Sequence, residues 1–324
     1  MTPDFKVIVE GANATDPIRD RLIALNIYDS VDYRSDTMEL VLDDRDGKLA
    51  IPTAGSTFEV WQGYKEDNKL TYRGKFVYDE TEYGLSPCTL IIRAKATNFR
   101  DQFKAQKSRS WDAVTLGDIV STIASDHGYA TAIHADLAGE VIEHIDQTAE
   151  SDLHFLTRLK RDYDAAFKIA GGNLVFMPRA GGKSANTQKT LPRVTIKPGD
   201  INGGSVVRND RSKYGAVEVK YYDRDEAVTK KVKAGDGVPV YEMKGTKATE
   251  AEALAAAKSR YKRLSREQGS LNLTLDGRGD LASEAIVILE EFRDGVNGEW
   301  VILTAKHWLN NKSYTCQITG ELPK

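Results

Sequence analysis

The chain has 324 residues, too many for one ordinary core, so two or three domains of roughly 100 to 150 residues each are expected. With 40% hydrophobic and 29% charged residues, and 9 Pro against 26 Gly, the composition excludes a largely disordered, collagen-like or coiled-coil chain. Its 45 Lys and Arg against 48 Asp and Glu, a net charge of −3, exclude a dedicated nucleic-acid binder and leave only passive contact with DNA.

The opening MTPDFKVIVEG has no basic segment followed by an apolar one, and no later stretch reaches the length of a spanning helix, so neither export nor membrane insertion is expected. Phe5, Val7 and Val9 alternate, ELVLD does so again at 39–43, and FEVWQGY and CTLIIRA follow between turns, which predicts a small antiparallel barrel or sandwich. From Trp111 the period changes. Leu116, Ile119, Val120, Ile123 and Ala124 lie on one helical face, with Thr115 as N-cap, Asp118 completing a capping box and Gly128 as the stop. A second helix is expected over about 149–163, burying Leu153, Phe155, Leu156 and Leu159, and Gly171-Gly172-Asn173 then turns a hairpin. Residues 108–178 thus read as a helix, helix, hairpin unit, followed by the loop RAGGKSANTQKT.

Strands return with VTIKP, with Val217, Val219 and Tyr221, and with Val228 and Val232 across the turn at Asp223-Arg224-Asp225. A third helix begins at a Thr249/Glu252 capping box and ends in Arg260, Lys262, Arg263 and Arg266 before Gly269. Leu254, Ala257, Tyr261 and Leu264 give it one narrow apolar stripe, enough to dock on a sheet edge. The resulting expectation is a β-rich α+β chain: a first β-barrel at 1–105, an α+β domain at 106–192, and a second β-barrel at 193–324 with a capping helix at about 249–268.

The two barrels are read as duplicates. Leu40-Val41-Leu42-Asp43-Asp44-Arg45 matches Leu273-Thr274-Leu275-Asp276-Gly277-Arg278, followed by Leu49-Ala50 and Leu281-Ala282. Each copy continues with an apolar strand (TFEVW, AIVIL), then a glycine two residues before an aromatic and Val (Gly74, Phe76, Val77; Gly298, Trp300, Val301), then a closing strand (CTLII, YTCQI). Alternation alone does not demand the shared Asp and Arg.

No catalytic chemistry emerges. The GGKS at 181–184 lacks a glycine at Met177 for a phosphate loop, and Gly203-Gly204-Ser205-Val206 fails as a nucleophile elbow. Histidines 127, 134, 144, 154 and 307 show no ligand spacing for zinc; His127 reads as a cation at a helix end and His307 as a half-buried sheet residue. The acid pairs Asp43-Asp44 and Glu290-Glu291 are strand or turn neighbours that point apart, the wrong arrangement for a glycosidase. Lys104, Lys107 and Arg109 read as a solvated inter-domain linker, and Cys88 and Cys316 as small buried residues in a reducing compartment. No catalytic, cofactor-binding or metal-binding residue is assigned.

SDTMELVLDDRDG, FEVWQGY, QKSRSWDAVTLGDIVSTIASDHGY, DQTAESDLHFLTRLKRDYDA, GGNLVFMPR and GEWVILTAKHWLNNKSYTCQI resemble the late control protein D family of contractile-tailed phages, related to the hub part of VgrG-type spike proteins. The resemblance runs from about residue 20 onward, with SWDAVTLGDIV and ESDLHFLTRL its most specific pieces. It implies a structural baseplate hub in the virion, assembled in the host cytoplasm: a homotrimer whose two barrels per chain form a pseudo-sixfold ring between tail tube and central spike. The α+β domain would sit outside that ring. Implied partners are the spike protein, the tube protein, other baseplate subunits and, as a further candidate, tape-measure protein, with DNA only passing through. Because no β-helical needle follows, the spike is expected to be another polypeptide. Two rivals remain at this stage, the hub of a type VI-like or extracellular contractile injection system, and a tail-associated peptidoglycan hydrolase.

Overall fold

A computed structural model describes residues 1–31, 36–67, 69–96, 103, 105–170, 172–179, 192–209 and 213–323. The strands are, in chain order, β1 (Pro3–Val9), β2 (Ala12–Asn13), β3 (Leu22–Ser30), β4 (Thr37–Asp43), β5 (Thr57–Tyr64), β6 (Thr71–Leu85), β7 (Cys88–Lys95), β8 (Gln106–Thr115), β9 (Ala130–Ile133), β10 (Val141–Ser151) and β11 (Ala165–Ala170). They continue with β12 (Asn173–Pro178), β13 (Arg193–Ile196), β14 (Ile201–Arg208), β15 (Ala216–Asp223), β16 (Val228–Ala234), β17 (Val240–Lys247), β18 (Gly269–Asp276), β19 (Ile286–Leu289), β20 (Gly298–Leu309) and β21 (Tyr314–Glu321). The chain divides into two compact units, residues 1–98, 192–205 and 271–320, and residues 99–191, 206–270 and 321–324.

The first unit holds a 13-stranded sheet of order β14-β18-β21-β20-β3-β4-β7-β6-β5-β1-β2, with β19 on β20 and β13 on β19. Its order repeats. β3-β4-β7-β6-β5-β1 in the first half matches β14-β18-β21-β20-β19-β13 in the second in order, with one difference in direction: β1 runs antiparallel to β5, whereas β13 runs parallel to β19. The expected duplicates are therefore present as equivalent strand sets, but as neighbours in one hydrogen-bonded network rather than two separate barrels. The Leu40 strand pairs with β3 and β7, and the Leu273 strand neighbours β14 and β21, so the duplicated segments do not pair with each other. The halves join where β20 pairs antiparallel with β3, from Thr304↔Ser30 to Leu309↔Leu25.

Alternation explains the shared core: Leu40, Leu42 and Phe76, like Leu273, Leu275 and Trp300, are all buried. The shared Asp and Arg are used differently. Asp43 pairs with its own Arg45 at 2.7 Å, whereas Arg278 pairs with Asp280 at 2.6 Å and Asp276 accepts from Asn202 at 2.8 Å. At the position of Asp44 the second copy has Gly277, because an added Cβ there would fall 2.3 Å from the Tyr314 ring.

The second unit contains the Leu116–Asp126 and Asp152–Asp162 helices, the β8/β10 ribbon and the β11-β12-β9 sheet around one core. The Thr115/Asp118 capping box forms in both directions, at 3.1 and 2.9 Å. Gly128 (φ +72°) closes the helix: its N–H reaches Ser125 O at 3.0 Å and Tyr129 N–H reaches Ala124 O at 2.9 Å. Phe155, Leu156 and Leu159 are buried as expected, and Leu153 partly. β11 and β12 pair as the expected hairpin.

Two expectations change here. The Glu250–Arg266 helix is not the cap of a barrel: it lies in the second unit, packed on the β16-β15-β17 sheet. Nor is its buried face a narrow stripe, since Ala253, Ala256, Ala257, Ser259, Leu264 and Arg266 are buried while Leu254 and Tyr261 are only partly so. Its far side meets the Asp152–Asp162 region: Arg266 is paired with Asp164, and its Nε lies 3.1 Å from Glu321. Ser259 Oγ donates to Arg161 O at 2.8 Å. Only half of the second capping box forms. Thr249 Oγ1 accepts the Glu252 N–H at 3.3 Å, but the Glu252 carboxylate turns inward, where burial raises its pKa.

Candidate functional site

In the first unit the second repeat carries a buried polar chain. His307 on β20 is 1% exposed, not half-buried as its sequence suggested, because Leu281, Tyr314 and Cys316 close around its ring. Its Nε2–H donates to Leu281 O at 3.1 Å, which leaves Nδ1 to accept the Tyr314 hydroxyl at 3.1 Å. Arg73 from β6 donates to that hydroxyl and, at 3.1 Å, to Arg278 O; Tyr64 from β5 donates to Tyr314 O at 3.2 Å. The chain thus ties strands of the first repeat to those of the second.

Cys316 Sγ lies 3.9 Å from His307 Nε2, the one thiol beside a histidine among the described residues. It is not an activated nucleophile. Burial pushes the thiol up to about 12, while burial and the nearby Arg73 push the imidazole down to about 3, so at neutral pH neither is ionised. The imidazole proton is directed at a carbonyl rather than at the sulfur. Cys88, expected to be buried as well, is exposed.

In the second unit a charge is buried. Asp152, 0% exposed, receives Lys107 Nζ (2.7 Å) and His127 Nε2 (2.8 Å) on Oδ2, and Gln147 Nε2 (2.8 Å) and Arg109 on Oδ1. Burial alone would raise its pKa, but the hydrogen bonds from Gln147, Lys107, His127 and Arg109 outweigh it and hold the carboxyl well below the usual carboxylate range. Two expectations fall with this geometry. Lys107 and Arg109 are not a solvated linker but strand β8 residues aimed at a buried anion; Lys104 lies outside the described residues. His127 is the C-cap of its helix as expected, yet it is buried, stacked on Phe103 at 3.7 Å and spent on Asp152. No sequence signal announced this site, because its donors come from separate elements. With both oxygens doubly occupied, Asp152 has no room for a metal or a substrate proton.

A cleft of about 230 Å³ in the same unit is lined by His144, Arg158, Asp162, Tyr163, Lys247 and Glu252, among others. Lys247 meets Asp162 at 3.0 Å, and His144 lies between Asp112 (2.6 Å) and Asp146 (3.3 Å), its hydrogen bond to the Asp112 carboxylate raising its pKa. Glu290 and Glu291 do not converge with Asp43: Lys197 pairs with Glu291, and Arg45 with Asp43. His134 caps a short helix, and the His154 side chain is exposed. The GGKS segment lies outside the described residues. Among those residues no three His, Cys, Asp or Glu side chains gather as metal ligands, and no helix is long and apolar enough to cross a membrane.

What the first unit leaves unoccupied is backbone. Among the described residues β14 ends the sheet, and β6 beyond Tyr78 pairs only with β7. Along the β6 edge Tyr83 (52%) and Leu85 (87%) are exposed.

Comparison with known proteins agrees with this architecture. A family model described as phage tail baseplate hub (GPD) matches residues 42–313. The probable baseplate hub protein of Escherichia phage P2 is 28% identical over 364 positions, covering 99% of this chain and 94% of its own. That of Escherichia phage 186 is likewise 28% identical, over 99% and 93%. Among solved structures, the 43 kDa tail protein of prophage MuSo2 from Shewanella oneidensis has a TM-score of 0.72 at 15% identity, over 99% of both chains. An E. coli type VI secretion component has a TM-score of 0.57 at 11% identity, over 97% of this chain and 76% of its own.

Proposed function

The chain belongs to the phage tail baseplate hub family, and we propose that it is the structural hub of a contractile tail: a homotrimer whose six strand repeats form a ring between a sixfold tail tube and a threefold central spike. The observation that carries this reading is the repeated order β3-β4-β7-β6-β5-β1 and β14-β18-β21-β20-β19-β13. A ring joining six subunits to three needs two similar surfaces per chain, and closed cyclic assemblies repeat one interface around the axis. The α+β domain read over residues 106–192 is proposed to lie outside that ring.

The chain acts by assembly and not by turnover. Asp152 is saturated with donors and His307 and Cys316 are neutral, which supports assigning no catalytic, cofactor or metal role to these three. Its partners are the spike, the tube protein, other baseplate subunits and tape-measure protein, its site is the virion baseplate, and assembly takes place in the host cytoplasm. Light scattering on the purified chain, alone and with its spike, tests this: a mass near three times 35.9 kDa and a ring in negative stain are expected. A monomer under both conditions, or a peptidoglycan-lytic band in zymography, overturns it.

A further inference from the structure

We propose that the cleft of the second unit binds one primary alkylammonium group, its nitrogen held by Glu252 and Tyr163 and its carbon chain laid on an apolar floor. The cleft lies within one unit of one chain, so its occupancy does not depend on how chains assemble.

Three elements distant in sequence build the walls. Ile142 and Ile145 come from β10, Leu159 and Tyr163 from the Asp152–Asp162 helix and its C-cap, and Glu252 from the first turn of the Glu250–Arg266 helix. Ile142 and Leu159 are 1% and 0% exposed and make the floor together with Ile145. The volume of about 230 Å³ equals that of about eight waters, room for a straight chain of a few carbons and its head group.

Charge decides what fits. Each cation of the lining already meets a carboxylate: Lys247 with Asp162 at 3.0 Å, Arg158 with Glu150 at 2.8 Å and His144 with Asp112 at 2.6 Å. Glu252 forms no ion pair among the described residues. Its carboxylate draws on the Ala248 N–H, and its buried Oε1 has no hydrogen-bond partner. The Tyr163 hydroxyl has none among these residues either. Burial raises the pKa of both groups, and neighbouring acids add to it, Asp162 and Glu143 at Glu252, and Glu252, Glu140 and Asp162 at Tyr163; Lys247 opposes them only at Glu252.

What the cleft lacks is therefore a cation that donates hydrogen bonds. An anion finds every lining cation engaged, and a divalent metal finds no set of ligands, since among the described residues no three His, Cys, Asp or Glu side chains gather. An ammonium brings three donors. One reaches Glu252 Oε1, which a turn of this part-exposed side chain brings to the cleft, and another reaches Tyr163 Oη, while the methylenes rest on Ile142 and Leu159.

Saturation-transfer NMR titrations of the full chain test this with n-pentylammonium, pentan-1-ol and pentanoate. For so small a ligand a Kd of about 1 mM is expected for the ammonium, with the alcohol and the carboxylate weaker by about ten-fold or more. Glu252→Gln should weaken the ammonium by about ten-fold and Tyr163→Phe by less, both with unchanged circular dichroism. The alkylammonium has two sources, which 1,5-diaminopentane and acetyl-lysine amide separate: tighter binding of the diamine assigns the cleft to a free diamine, and tighter binding of the amide to a lysine side chain of a partner. Equal binding of pentan-1-ol, unchanged affinity in both variants, or no saturable binding of n-pentylammonium overturns the proposal and leaves the hub reading standing.

Discussion

Asp152 in the second unit and His307 in the first are both withdrawn from water, yet one keeps its charge and the other gives it up. Asp152 has four side-chain donors on two oxygens, three of them from basic residues, which offset the cost of burying an ion. His307 faces one carbonyl and one hydroxyl, with Arg73 near enough to repel a proton, so the neutral ring is the cheaper form. What decides between the two is the number and sign of partners, since burial is the same.

The comparison breaks most directly at Asp152. Asp152→Ala removes the buried anion shared by Lys107, Arg109 and His127, leaving Asp126 for Lys107 and Arg109 and none for His127, and a loss of about 3–5 kcal/mol is expected in urea unfolding of the second unit. A loss under about 1 kcal/mol would show that the donors find water instead. Because the folded carboxyl titrates below its unfolded value, its contribution is complete above about pH 4 and declines as pH falls further. The gap between variant and parent should therefore narrow in acid.

Leu156→Ala, in the same unit but wholly apolar, should cost about 2–5 kcal/mol through the cavity it leaves. Its gap should stay constant with pH, which separates lost packing from lost charge. His307 should act with the opposite proton logic in the first unit. Its pKa is lowered in the folded state to about 3, so the unfolded chain binds the extra proton. Its contribution is complete above about pH 6.5, and stability should fall by up to about 1.4 kcal/mol per pH unit between there and pH 3. His307→Gln should flatten that slope; an unchanged slope would assign it to other groups. The smallest effect is expected at Thr115→Ala, about 1 kcal/mol from loss of the cap, with neither buried network disturbed.

Local chemistry was legible in the sequence. The Thr115/Asp118 box and Gly128 stop formed as read, since capping depends on residues three or four apart. The repeat was legible too, because Leu40, Leu42 and Phe76 answer to Leu273, Leu275 and Trp300 at matching places in the sheet order. What the sequence hid depends on distant partners. Glu252 looked like a cap and became a half-buried acid lining the cleft, because the Asp152–Asp162 helix packs near it. Lys107 and Arg109 looked like linker charges, because Asp152 lies 45 and 43 residues away. The single sheet was equally hidden, as nothing near Ser30 or Thr304 announces that they pair.

That pairing of β20 with β3 has a consequence for synthesis. Leu25 and Leu309 meet across a separation of 284 positions, so β3 emerges from the ribosome long before the strand that pairs with it. Throughout that interval its outer edge is open to any extended chain nearby, including nascent copies of itself. The inserted second unit, with its own core, can fold meanwhile. The two repeats of the first unit can be joined only when residues 304–309 have been made, which makes the closing step one of the slowest the chain performs.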